Sequence, residues 1–138
     1  ASCAIGPFIR LFDETYGMDD VRRARLDLRI EGEDGFVLEG HSSMSEISRD
    51  PLDLVAQTIG RHHQYPDGFM LFLGTMFAPI KDRDAKGQGF THKVGDIVTI
   101  ATPKLGALVN RVERSDRIAP WSFGVGALME CLARRRST

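Results

Sequence analysis

The chain has 138 residues, 42% of them hydrophobic and 27% charged, with a formal net charge of −1. That is one domain's worth of chain or a piece of a larger domain, with the composition of a folded protein. The near-neutral balance argues against a general nucleic-acid or membrane-surface binder, since those rely on a basic excess.

From the N-terminus, "ASCAIGPFIRLFDE" reads as an irregular entry followed by a short strand near Phe8 to Leu11. "YGMDDVRR" reads as a turn. In "ARLDLRIEGEDGFVLEG", Ala24, Leu26, Leu28 and Ile30 alternate with Arg23, Arg25, Asp27 and Arg29. This period of two is the pattern of a half-buried strand. Asp34-Gly35 is a hairpin turn, and Phe36 to Glu39 return from it. Next, Asp50 and Pro51 form a helix start: a side-chain oxygen for free backbone N–H groups, then a residue with no N–H to lose. Leu52, Val55, Ala56 and Ile59 share one face of that helix, which ends at Gly60.

"FMLFL" (69–73) is apolar at every position, which predicts a strand covered on both faces. Cover of that kind comes from elsewhere, so the chain is expected to associate. "APIKDRDAKGQGF" reads as a polar loop. "VGDIVTIATP" and "LGALVNRVE" are two further strands, separated by Pro103 and Gly106. "PWSFGVGALMECLARRR" is a C-terminal helix with Ser122 as its cap, and its closing "ARRRST" is a solvated basic end or a phosphate-binding patch. The fold class is α+β, with at least five strands and two helices.

Cys3 and Cys131 make at most one disulfide and no zinc site; reduced thiols in a cytoplasmic protein are the simplest reading. No apolar segment reaches the ~18 residues of a membrane span, and "ASCAIGPF" has no signal-peptide pattern. With no initiator methionine, that start reads as a processed chain or a fragment.

Four features compete as chemistry-bearing sites. His62 and His63 are adjacent, so they point to different sides and do not suit a shared metal; they read as residues beyond a helix end that interact with its carbonyls. His41 and His92 lack metal-ligand spacing. Glu31-Gly32-Glu33 puts two carboxylates on one strand face, as Mg²⁺ or Mn²⁺ would require, but at a hairpin tip it reads as solvated. The charges of "KDRD" (81–84) and of Asp19-Asp20 read as loop charges. Gly74-Thr75, closing the apolar run, is where backbone could approach a ligand and a hydroxyl could bind its carboxylate; the alternative is a structural glycine and a strand-end threonine.

Several segments, in order, resemble the C-terminal half of the fumarylacetoacetate hydrolase family. "SCAIGPFI" is similar to its "FCPLGP", "YPDGFMLFLGT" to "PGDVIATGTP", "KVGDIVTI" to "PGDVVEV", and "LGALVNRV" to "IGTLRNTV". Ser43-Met44 stands where the family has a small-polar/Met pair. "FTHKVGD" and "PWSFG" resemble a sugar-acid dehydratase-like branch. The resemblance implies a mixed β-roll-like fold, a homo-oligomer that is usually a dimer, and Mg²⁺ or Mn²⁺ held by a Glu-x-Glu and a further Asp. It also implies a 2-oxo or diketo acid substrate, cleaved, hydrolysed or dehydrated through a metal-stabilised enolate. The family's metal ligands lie before its "CPLGP" stretch, where this chain begins, so they are expected outside it. "PDGFMLFLGT" departs from the family in its Asp-Gly order, one extra residue, and Met76 after the threonine. Carried over as substrate-binding are Gly74 and Thr75, with Ser2 and Cys3 bordering the pocket. The alternative is a non-catalytic relative serving as a binding or oligomerisation module. No nucleic-acid or membrane partner is expected.

Overall fold

A computed structural model describes residues 4–6, 8–74, 77–120 and 122–136. They form an α+β structure with three α-helices and one four-stranded sheet: α1 (Met18–Arg22), β1 (Arg25–Glu31), β2 (Val37–Ser43), α2 (Pro51–Thr58), β3 (Ile97–Thr102), β4 (Gly106–Arg111) and α3 (Val125–Arg136). The strand order is β2-β1-β3-β4, and each neighbouring pair is antiparallel. Two hairpins, β1–β2 and β3–β4, are therefore joined edge to edge through β1 and β3.

The alternation of β1 decides which side becomes the core. Cross-strand partners share a face, so Ile30, paired with Leu38 and Val98, and Leu28, paired with Gly40 and Ile100, make one apolar face. Ile30 and Leu38 are 1% and 3% exposed. Complete burial of such side chains contributes roughly 1.5–3 kcal/mol each. The opposite face is charged: Arg29 bonds Glu39 directly across the ladder and Glu31 at 2.9 Å. Solvent screening leaves exposed pairs of this kind little net stabilisation.

Helix α2 begins as its sequence dictates. Asp50 Oδ1 accepts from the Leu52 N–H at 2.9 Å, and Pro51 occupies the first turn. At its far end the chain turns back through paired backbone bonds between Gly60 and His63, 2.9 and 3.1 Å. Both histidines are exposed, and among the described residues neither imidazole bonds a helix carbonyl; the Ile59 N–H donates to the Val55 carbonyl instead.

Four further expectations differ from the structure. "YGMDDVRR" is not simply a turn: the Gly17 N–H donates to Asp20 Oδ2 at 2.9 Å, which nucleates the short helix α1. Helix α3 starts at Val125, with Leu128 N–H donating to the Gly124 carbonyl, so Ser122 lies too early to cap it. Residues 8–11 and 69–73 form no strand, leaving four strands where at least five were expected. An unbroken apolar run signals burial but does not supply a ladder partner. Met70 and Phe72 are accordingly 58% and 63% exposed, so the run is not the doubly covered strand its composition suggests.

The fourth difference is the largest. "KDRD" is not a set of solvated loop charges, because the Arg83 and Asp96 side chains are each only 1% exposed. Arg83 Nη1 and Nη2 donate to the two Asp96 oxygens at 2.6 and 2.7 Å, and Nε and Nη2 donate to Asp34 at 3.1 and 3.0 Å. Nη1 also donates to the Thr91 carbonyl at 3.2 Å, so every guanidinium N–H is used. Phe36 lies 4.8 Å from the guanidinium carbon, and Phe90 stacks on Phe36. Around this centre the Lys93 N–H bonds Asp96, the Lys93 ammonium bonds Asp34 and Asp84, and Lys81 donates to the Val37 carbonyl at 2.6 Å. The β1–β2 hairpin tip, the 81–93 loop and the entry to β3 are thereby tied together.

The accessible surface is 11,359 Å². A compact monomer of 15.3 kDa exposes about 7,100 Å². The difference consists in good part of apolar side chains, including Phe8, Ile80 and Val125 at 91%, 88% and 73% exposure. Among the described residues no helix is long and apolar enough to cross a membrane.

The Arg83 guanidinium holds the Asp96 carboxyl at about 2, against the upward pull of burial and with help from the Lys93 N–H. A depressed carboxyl stabilises the fold fully above its unfolded value of about 4 and loses that contribution as pH falls through its folded value. Urea unfolding followed by circular dichroism is expected to show stability declining from about pH 4 to pH 2. At neutral pH, Asp96→Asn is expected to cost about 3–5 kcal/mol, because it leaves a buried cation underpaired, and to flatten that acid limb. An unchanged acid limb in the variant would contradict the assignment.

Candidate functional site

The only carried-over site residue among those described is Gly74; Ser2, Cys3 and Thr75 lie outside the described residues. Gly74 adopts φ 87°, a left-handed conformation that side chains disfavour, and a Cβ built on it meets nothing within 4 Å. It borders a cavity of about 270 Å³ over the apolar face of the sheet. Leu26, Leu28 and Ile100 form the floor, from the alternate positions of β1 and β3 that face inward.

Phe77 closes one side of this cavity, and Gly40 makes that possible. Any Cβ at Gly40 would overlap the Phe77 ring, so the missing side chain on β2 is filled by an aromatic from the segment after Gly74. Gly40 is buried as a result. Ser42, the ladder partner of Leu26, brings a polar group to the same rim. An apolar hollow with a few polar groups at its edge is the usual form of a small-molecule site, and this volume suits a small one.

His41 belongs to the charged side of the edge strand β2. Its Nδ1 lies 2.6 Å from Asp27 Oδ1, the cross-strand partner in the ladder. A carboxylate at Nδ1 fixes the ring and leaves Nε2 for another partner. Both side chains are exposed, at 78% and 62%. The sequence reading passed over this pair because it sought metal spacing. The signal was there in the hairpin: Asp27 and His41 stand at equal distances on either side of Asp34, so the turn alone places them opposite each other.

The other candidates separate. Glu31 is bonded to Arg29, whose guanidinium lowers its carboxyl below the usual range, and Glu33 lies 3.7 Å from Arg111. The Glu-x-Glu therefore serves ion pairs. Among the described residues no group of three or more His, Cys, Asp or Glu could hold a metal ion, so these residues do not by themselves fit a divalent cation. His62 and His63 do not border the cavity. Cys131, on α3, is a free thiol.

No family model, no curated protein and no solved structure matches the chain.

Gly40→Val is the direct test of how the cavity is built. The added branches are expected to expel the Phe77 ring and to destabilise the protein by about 1–3 kcal/mol, the usual range for overpacking. A Phe77 ring environment unchanged by NMR would show that the two positions do not make contact.

Proposed function

We propose that the chain forms one wall of the substrate pocket in a divalent-metal-dependent enzyme of the fumarylacetoacetate hydrolase type. Its substrate is a 2-oxo or diketo acid, and the protein works as a homo-oligomer, in the family's case usually a dimer of mixed β-roll-like subunits. One observation carries the reading. Gly74, which the resemblance singles out, lines the apolar cavity with positive-φ backbone and open space around its Cα.

The chain's own residues then have defined tasks. The bare backbone at Gly74 lets the acid approach without a side chain in the way. Leu26, Leu28, Ile100 and Phe77 exclude water from the hollow, which strengthens any charge interaction made inside it. Thr75 is assigned a contact to the substrate's carboxylate on the motif alone. In this family Mg²⁺ or Mn²⁺ stabilises the negative charge that develops as a bond next to the oxo group breaks. Because the described residues do not fit such an ion, its ligands are assigned beyond them.

A second reading, a non-catalytic binding or oligomerisation module, is favoured by the large exposed apolar surface. That surface exceeds a compact monomer's by an area in the range of obligate interfaces. Both readings require association, so turnover must separate them.

The native gene product carrying these residues, given Mg²⁺ and acetylpyruvate, is expected to turn the diketo acid over. Gly74→Val is expected to lower kcat/KM about tenfold or more while leaving metal affinity unchanged. Absence of both binding and turnover across a panel of 2-oxo and diketo acids with Mg²⁺ or Mn²⁺, in an associating protein, would replace the enzyme with the module.

A further inference from the structure

A second cavity, of about 200 Å³, lies between α1 and the β3–β4 turn, away from Gly74. Its apolar walls are Tyr16, Ala24, Pro103 and Leu105. Tyr16 is 6% exposed and is fixed from its other contacts by Phe12, 5.9 Å away centroid to centroid, and by the Arg10 guanidinium, 5.3 Å from its ring. The walls are therefore held in place. A volume somewhat above the ~150 Å³ that accommodates benzene suits one ring-sized body.

The charges around this cavity do not cancel. Asp20 and Lys104 neutralise one another, with Lys104 Nζ 2.7 Å from Asp20 Oδ1 and also donating to the Thr15 carbonyl. The ammonium and the Gly17 N–H keep the Asp20 carboxyl below its ordinary value, so Asp20 stays charged and committed to them. Two further basic residues line it, Arg23 and Arg25, the second shared with a neighbouring hollow that Asp27 and Glu46 also line. Arg23 has a solvent-exposed pair with Asp19 at 3.8 Å, and its charge also reaches Asp20. Arg25 has no acidic group within ion-pair distance among the described residues: Asp27, two positions along the strand, is bonded to His41.

We propose that the cavity between α1 and the β3–β4 turn binds a small monocarboxylate with a ring-sized apolar body, its ring against Tyr16 and Leu105 and its carboxylate on Arg25 and Arg23. A guanidinium fork matches a carboxylate in two parallel bonds, and a ligand of this kind supplies the missing anion. The neighbouring apolar walls favour a weakly hydrated organic acid over a bare, strongly hydrated inorganic anion. The site is distinct from the Gly74 pocket and does not depend on the enzyme reading.

Titration with benzoate, followed by NMR, tests this. Saturable shifts are expected at Tyr16 and Leu105, with affinity falling about tenfold in Arg25→Gln, the loss expected for a charged hydrogen bond. Arg23→Gln is expected to give a smaller loss. Benzyl alcohol, with the same ring and no charge, is expected to bind at least about tenfold more weakly. Gly74→Val should leave benzoate affinity as it is, whatever it does to turnover. Three results would each overturn the proposal: no saturable shift at Tyr16 and Leu105, equal affinity in Arg25→Gln and the parent, or inorganic phosphate competing as well as benzoate.

Discussion

A buried guanidinium is tolerable only when its donors are all used and its charge is met, and Arg83 satisfies both conditions with partners from three separate stretches. Asp34 comes from the hairpin tip, Asp96 from the entry to β3, and the Thr91 carbonyl from the loop between them. Neither Arg83 nor Asp96 could stay dry alone, so the contact forms together or not at all. That cooperativity ties the 81–93 loop to the tip of the β1–β2 hairpin. Gly32 shows how close the approach is, since a Cβ there would overlap both the guanidinium and the Asp34 carboxylate. Asp82 continues the ordering by accepting from the Gly87 and Gly89 N–H groups, both at 2.7 Å.

From this anchor the rest of the chain can be understood as a sheet with unequal faces. The opposite face carries cross-strand ion pairs on β1 and β2 and exposed apolar residues such as Val109 on β4. The apolar face is covered at Ile30 and Leu38, but Ile100 remains 41% exposed. The Gly74 cavity occupies this incompletely covered region, with Phe77 laid over Gly40. A hollow on an unfinished apolar face is open to further cover, as the proposed association would supply. The Tyr16 cavity differs in kind: its walls are supplied by α1 and the β3–β4 turn, and its unbalanced charge is positive.

Where the physics is local, the sequence is a good guide. Strict alternation marks Leu26, Leu28 and Ile30, and the Asp34-Gly35 turn sets the β1–β2 register. Asp50-Pro51 marks the start of α2, and β3 and β4 fall where their apolar runs predict. Local rules did not reveal α1, whose five residues depend on one Gly17–Asp20 bond, nor the fate of "FMLFL", whose pairing depends on a neighbour. Arg83 was illegible for the same reason: a charge in a Gly-bearing polar loop resembles any other until residues 34 and 96 are brought to it. For the proposed site, the resemblance pointed to Gly74, whereas Gly40, Phe77 and the His41–Asp27 pair became visible only with the ladder register in place.

The central claim is that the hollow beside Gly74 is where a small oxo acid binds. A crystal structure of the native protein with Mg²⁺ and oxalate, a compact mimic of such an acid, tests it most directly. The account predicts oxalate over the β1–β3 face, bordered by Gly74 and by Phe77 lying on Gly40. Oxalate bound elsewhere, with that hollow empty or filled by the chain itself, would contradict it.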